Sequence, residues 1–269
     1  RPHAAAASGA TFVRRACPPP SPVPLPAGSS FTGASAITLV DHPPRPPRPE
    51  VGAAGEAAGG APVERLVRRF DVRASRGAAI NSRLRAAARS AYTGSSACGV
   101  TRSNVGGFHS GEELFWGAHP ADPHWYTPIH ELMLEALQLL HTPVELDALS
   151  ISGWLNASPP HAHHQVHDHG ESLYSAVYFA DSGGAGSEAE LGGETCSGQL
   201  LLITQPEAGV DRFEYVALPP EPSTLLLFAG GMPHAVLPRA SQCGTGARAA
   251  PDALALRVSV ACNVSLMVE

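Results

Sequence analysis

His161-Ala-His-His-Gln-Val-His-Asp-His169-Gly-Glu-Ser-Leu-Tyr-Ser-Ala-Val-Tyr-Phe-Ala180 sets five histidines into residues 161–169 and then runs directly into an alternating apolar stretch. Side chains of a β-strand alternate between faces, so residues 172–180 read as a strand with one side turned inward. With strand geometry reaching back to His167, the imidazoles of His167 and His169 share a face and Asp168 points away. Two imidazoles on one face are two candidate ligands for one metal ion. A third ligand, on a neighbouring strand, would complete a facial set and leave positions open for other molecules.

The natural third ligand is His234. It follows another apolar run and a glycine turn, Thr224-Leu-Leu-Leu-Phe-Ala-Gly-Gly-Met-Pro-His234. A facial set with open positions is the ligand logic of non-haem iron(II) chemistry. The last apolar run adds a different element. In Leu256-Arg-Val-Ser-Val-Ala-Cys262, alternation puts Leu256, Val258, Val260 and Cys262 on one face and Arg257, Ser259 and Ala261 on the other. An arginine facing a barrel interior is costly unless it meets an anion. Its planar fork matches a carboxylate, and Ser259 places a hydroxyl beside it. The alternative for Arg257 is pairing with a protein carboxylate or exposure at an edge.

Working outward, period-two runs separated by Gly, Pro and Asp clusters predict strands over Leu149–Asn156, Ser172–Ala180, Gln199–Thr204, Tyr215–Leu218, Thr224–Phe228 and Leu254–Val268. Many short strands of this kind make a sandwich or barrel. Upstream, residues 62–70 and 79–92 are predicted helical. The clearest helix spans 128–141, with Thr127 as N-cap, Pro128 in the first turn and Pro143 beyond its end. The expected organisation is therefore a Pro/Ala-rich disordered or targeting segment at 1–61 and one domain at 62–269, divided into a helical layer (62–145) and a β-barrel (146–269). Residues 36–40 are a candidate short strand docking on that domain.

The chain has 269 residues, a net charge of −6, and arginine but no lysine. The negative balance argues against a nucleic-acid surface, and no apolar run reaches the length of a membrane span. Cys17, Cys98, Cys196, Cys243 and Cys262 are scattered and odd in number, which suggests neither a disulfide framework nor a zinc knuckle. A reducing, intracellular location follows, cytoplasmic or organellar. The Arg-bearing, acid-poor start fits the tail of a transit peptide as well as it fits a linker. Nothing in the sequence specifies an oligomeric state.

Taken in order, Ser103-Asn-Val-Gly-Gly-Phe-His-Ser110, Trp154-Leu-Asn156, His167-x-His169 with Ser175-Ala-Val-Tyr178, Phe228…His234-x-Val236 and Arg257-x-Ser259…Asn263 resemble the 2-oxoglutarate/iron(II) oxygenases found in bacteria, phages and algae, distant relatives of the prolyl 4-hydroxylases. The resemblance spans roughly residues 62–268. It implies a mainly β fold, a double-stranded β-helix (a jelly-roll or cupin-like barrel) with supporting N-terminal helices. It also implies Fe(II) and 2-oxoglutarate at the barrel centre, with ascorbate as a further candidate cofactor. O₂ and an unidentified organic or peptide substrate would be the partners, without nucleic acid or membrane. Carried over, His167 and His234 are metal ligands and Arg257 holds the far carboxylate of 2-oxoglutarate, beside Ser259; Asn156 and Tyr178 are candidate second-sphere or co-substrate contacts, with strand packing and backbone satisfaction as the alternative for both. Decarboxylation to succinate and CO₂ would accompany hydroxylation of the substrate.

The chain departs from that pattern in places. The usual His-x-Asp/Glu is His-Asp-His here, so the expected set is His167, His169 and His234, with Glu171 or Asp168 as fallback carboxylates. Ser223 stands where a glycine is usual before the distal strand, and Ala176 replaces the glycine of Ser-Gly. Residues 240–250 read as an inserted turn. The Ser103–Ser110 segment is expected either to cover the mouth of the site or shape the substrate groove, or to be a structural turn wedged under the barrel. Two other readings remain open: a cupin-like metalloprotein without 2-oxoglutarate, and a non-enzymatic barrel that serves as a binding module.

Overall fold

The computed structural model describes residues 37–40, 67–93, 99–111, 126–141, 146, 148–184, 198–204, 214–239 and 255–267. The rest of segment 1–61, the turn at 240–250 and every cysteine except Cys262 lie outside the described residues. Cys262 is a free, buried thiol.

Twelve described strands form two antiparallel sheets. They are β1 (Ile37–Val40), β2 (Val67–Val72), β3 (Asn104–Val105), β4 (Phe108–His109), β5 (Leu149–Ser158), β6 (His163–His167), β7 (Tyr174–Ser182), β8 (Leu200–Thr204), β9 (Glu214–Leu218), β10 (Thr224–Ala229), β11 (His234–Val236) and β12 (Arg257–Leu266). The major sheet has the order β1-β2-β10-β7-β12-β5-β4 and the minor sheet β3-β6-β11-β8-β9. From β5 to β8, and again from β9 to β12, the chain steps from one sheet to the other at every strand. That winding is the double-stranded β-helix expected from the sequence.

β12 is the centre of the major sheet, paired along its length with β5 and β7. Both of its faces are buried, which explains why its sequence is apolar on one side and mixed on the other. Leu256, Val258, Val260, Cys262 and Val264 face outward into the main core. There they meet two helices, α1 (Ala74–Thr93) and α2 (Thr127–Gln138). Ile80, Leu84 and Ala88 of α1 and Ile129, Leu132, Met133, Ala136 and Leu137 of α2 recur at helical spacing and are buried against that face. A fully buried leucine or isoleucine contributes roughly 1.5–3 kcal/mol, so this layer anchors the major sheet whose other side carries the site. The inner core between the sheets is smaller: Phe179, Leu200, Leu202, Leu226, Phe228 and Met232.

Three expectations are corrected. Residues 62–70, expected helical, contribute instead to β2, which pairs with both β1 and β10. Its apolar positions suit a strand: Val67 packs on the inner core while Phe70 and Val72 belong to the outer one. Thr127 is the first helical residue of α2 rather than its cap; Tyr126 occupies the cap position with no side-chain cap bond. Finally, His167 and His169 do not open the strand at 172–180. His167 ends β6 in the minor sheet, His169 sits in the following turn, and β7 belongs to the major sheet.

Ser223 adopts φ +68°, the left-handed region that favours glycine, which accounts for glycine being the usual residue there. In this chain Asn81 Nδ2 donates to Ser223 Oγ at 2.9 Å, which helps hold the conformation. The β3–β4 segment crosses between the sheets: β3 pairs with β6 and β4 with β5. Gly106, at φ +75°, makes the corner.

Candidate metal centre

The β-pairing places three imidazoles together. His234 opens β11 and lies directly across from His167 on β6. Gly230, in the turn before β11, accepts a hydrogen bond from the His169 amide at 3.0 Å, tying the β10–β11 turn to the β6–β7 turn. A side chain at Gly230 would put its Cβ 2.0 Å from the Ser172 carbonyl oxygen, so this closure needs glycine. Ring centroids are 4.3 Å apart for His167 and His234, and 5.2 Å for His169 with each of the other two. One nitrogen from each ring lies within 4.8 Å of the others. Among the described residues this is the group that could hold a metal ion. The fallback carboxylates are not part of it. Asp168 lines the cavity, but its Oδ1 accepts the Gly170 amide at 3.0 Å, and Glu171 is exposed.

The imidazoles are oriented by their second nitrogens, as metal-ligating histidines usually are. His167 Nδ1 donates to the Gln165 carbonyl at 2.7 Å, and His234 Nδ1 to the Met232 carbonyl at 2.9 Å. Both arrangements leave Nε2 with its lone pair toward the cavity. Asn263 Nδ2 stands 3.3 Å from His169 Nδ1, and Asn263 Oδ1 accepts from Ser175 Oγ at 3.4 Å, so the amide of β12 holds the His169 ring in place. His234 is held neutral: burial, with a smaller contribution from the neighbouring histidines, pushes it down to about 4. Its lone pair is therefore available at neutral pH.

The triad opens into a cavity of about 300 Å³ between the sheets. On the major-sheet wall the rungs run Arg257–Ser158, Ser259–Asn156 and Ala261–Trp154. Trp154 is the metal end, its ring 5.4 Å from that of His169. Arg257 is the far end. It is 3 % exposed, and its terminal nitrogens donate to the Gly198 carbonyl at 2.8 Å and Ser158 Oγ at 3.2 Å. Its Nε has no partner, and among the described residues no carboxylate pairs with it. Burial, then the neighbouring Arg239, lower it to about 10, still charged at neutral pH. A buried charge without a counter-ion is strongly disfavoured, so the far end of the cavity suits an anion. Ser259 and Asn156 line the same cavity, and Asn156 Oδ1 is likewise buried without a partner.

Tyr178 does not join them, which corrects the expectation for that residue. Val177 and Phe179 line the cavity, so alternation turns Tyr178 to the helical side of β7. Its hydroxyl donates to Asn81 Oδ1 at 2.6 Å, and burial pushes it up to about 12. Tyr178→Phe should cost about 1–2 kcal/mol by leaving the Asn81 oxygen unpaired and leave 2-oxoglutarate affinity unchanged. Thermal melting paired with a binding titration checks both halves; an affinity loss beyond about threefold would return Tyr178 to the site.

Sequence reasoning missed His164 as a cavity residue; Ser103 and His109, in the segment expected at the mouth of the site, also line it. The signal for His164 was present in the cluster at 161–169 but is hidden by a bulge. His234 pairs with His167 while Val236 pairs with His164, so one intervening residue on β11, Ala235, lies opposite two on β6, Gln165 and Val166. The bulge throws Gln165 and Val166 outward and turns both His164 and His167 inward. The Ser103–Ser110 segment forms a cavity wall at the edge between the sheets, through Ser103 and His109. Trp154 stacks on His109 at 5.4 Å.

Residues 152–248 match the family model described as "Putative 2OG-Fe(II) oxygenase". The matched segment contains all three histidines of the triad and ends before Arg257. No curated protein matches the chain. Among solved structures, the chain is similar to a prolyl-4-hydroxylase from Pseudomonas putida (16% identity, 75% of this chain and 92% of that one, TM-score 0.46). It is also similar to the viral collagen prolyl hydroxylase of Paramecium Bursaria Chlorella virus-1 solved with 2OG (11% identity, 75% and 97%, TM-score 0.44). A third is HygX from Streptomyces hygroscopicus with nickel, 2-oxoglutarate and hygromycin B bound (8% identity, 75% and 83%, TM-score 0.44).

Proposed function

We propose that this protein is a non-haem iron(II)- and 2-oxoglutarate-dependent oxygenase that hydroxylates an organic or peptide substrate. One observation carries the reading: a buried guanidinium with no carboxylate partner among the described residues faces the same cavity as three convergent imidazoles. The matched family segment supports the metal half of it.

The donor set fits iron(II). Imidazole nitrogens suit this metal, and a three-ligand face leaves open positions. Bound there with 2-oxoglutarate and O₂, iron would supply an oxidation that yields succinate and CO₂ and hydroxylates the substrate. The protein's own share is binding and exclusion of water. Three neutral imidazoles leave both charges of iron(II) uncompensated, and Arg257 adds a third positive charge. The cavity thus favours a dianion with an oxo-acid group at the triad and a carboxylate at Arg257. Arg257 would hold that far carboxylate through its guanidinium charge, next to the Ser259 hydroxyl. Val177, Phe179, Leu200 and Phe228 line the remaining wall and keep water out of it.

The direct test is anaerobic visible absorption of the iron(II)-loaded protein titrated with 2-oxoglutarate. A weak charge-transfer band that saturates at one equivalent is expected, followed by succinate formation on admitting O₂. Tight iron binding without the band would favour the cupin-like metalloprotein, and no iron binding at all would favour the non-enzymatic barrel.

A further inference from the structure

The register of the minor sheet orders the cavity between its two ends. One rung is His167–His234–Leu202, at the triad. The next is His164–Val236–Leu200. Beyond Leu200 the chain reaches Gly198, whose carbonyl anchors Arg257 Nη1 at 2.8 Å. A molecule that reaches from the triad to Arg257 must therefore pass the second rung. Val236 and Leu200 are apolar there; the polar side chain on that rung is His164, 8 % exposed and lining the cavity.

Ser103 fixes how His164 presents itself. Its Oγ lies 3.2 Å from His164 Nδ1 and 3.3 Å from His167 Nε2. The Ser103 carbonyl accepts the Gln165 amide at 2.9 Å, which pins the serine to β6. One hydroxyl proton cannot serve both rings. A metal on His167 Nε2 takes that lone pair, which leaves the Ser103 hydroxyl proton available to His164 Nδ1, and in the proposed arrangement it donates there. The other nitrogen of His164, Nε2, then carries the proton and becomes a donor.

We propose that His164 is a binding residue for the co-substrate, its Nε2–H donating to the carboxylate that Arg257 holds and its tautomer set by Ser103. This rests on the oxygenase reading above. The charge neighbours of His164 agree with the placement: apart from its burial, Arg257 is the largest influence on it, ahead of His167, His109 and His234. His164 is a positioning and affinity residue; it is not a metal ligand.

The test is calorimetric titration of Mn(II)-loaded protein with 2-oxoglutarate, for the wild type and for His164→Ala, His164→Asn and Ser103→Ala, with Mn(II) affinity measured separately. His164→Ala should bind 2-oxoglutarate roughly 10- to 100-fold more weakly, the range of one hydrogen bond to a charged group. His164→Asn, which keeps an N–H donor, should recover part of that loss, and Ser103→Ala should lose less than His164→Ala. Mn(II) affinity should stay within about threefold in all three. The acid 2-oxobutyrate lacks the far carboxylate and should bind the wild type and His164→Ala alike. Unchanged 2-oxoglutarate affinity in His164→Ala and His164→Asn would overturn the proposal. So would an equal loss for 2-oxobutyrate, or loss of Mn(II), which would make His164 a ligand. A wild type that binds Mn(II) but not 2-oxoglutarate would instead remove the co-substrate reading itself, and this proposal with it.

Discussion

Replacing His234 by alanine is expected to abolish stoichiometric iron(II) binding while the barrel stays folded. His234 is 5 % exposed and is fixed by β11, which pairs with both β6 and β8. Two remaining imidazoles do not make a facial set, and the loss should exceed the 10- to 100-fold typical of removing a group that only orients a ligand. Folding should suffer little. The imidazole gives up one hydrogen bond, to the Met232 carbonyl, worth about 1 kcal/mol, and its own burial is unfavourable to its charged form. Thermal melting with and without metal separates the two effects. A ligand at 100 times its dissociation constant stabilises the wild type by about 2.7 kcal/mol; the variant should show no such shift, with or without iron. An alanine variant that still melts higher in iron would place the metal elsewhere. His167→Ala should behave in the same way, with a smaller change in unliganded stability because His167 is only partly buried.

The barrel was legible because its strands are buried on one or both faces and so carry period two in plain sight. β12 is the clearest case: Arg257, Ser259 and Ala261 on one side and the apolar residues on the other are where alternation put them. β2 was not legible. Val67, Phe70 and Val72 suit either period over so short a run, and what makes it a strand is the hydrogen-bonding edge of β10, a tertiary partner that no local pattern contains. Tyr178 failed for a related reason. Family order put it beside the site, but alternation along β7, applied consistently, turns it to the helices once Val177 and Phe179 face inward. The triad was found by an argument that was partly wrong in detail. His167 and His169 do converge, yet through a strand end and a turn rather than along one strand. The hidden member of the cavity was His164, because a bulge breaks the parity on which every facing argument depends. Four residues, His164 to His167, then span one β-bulge, and parity counted from His167 assigns His164 to solvent.

Arg257→Met should separate binding from stability in opposite directions. Methionine keeps the volume of the side chain and removes the charge. The variant should lose 2-oxoglutarate affinity by about 100-fold or more, since a buried carboxylate would be left without the guanidinium that compensates it. Iron binding at the triad should be retained, because Arg257 lies at the opposite end of the cavity, two rungs of the major sheet away from Trp154. The charge-transfer band with 2-oxoglutarate should then require far higher co-substrate concentrations. Without ligand, however, the variant should melt at or above the temperature of the wild type. The wild-type guanidinium is held at a cost: burial and the adjacent Arg239 both disfavour its charge, and its Nε has no partner. Exchanging such a charge for a well-packed apolar group is often neutral or stabilising by 1–4 kcal/mol. Against that stands the loss of two donors, to the Gly198 carbonyl and Ser158 Oγ. If Arg257 were structural, serving those two acceptors alone, the variant would melt well below the wild type and bind 2-oxoglutarate as before. Higher stability with lost affinity would instead mean that the barrel keeps a destabilising cation at its centre for the anion it binds.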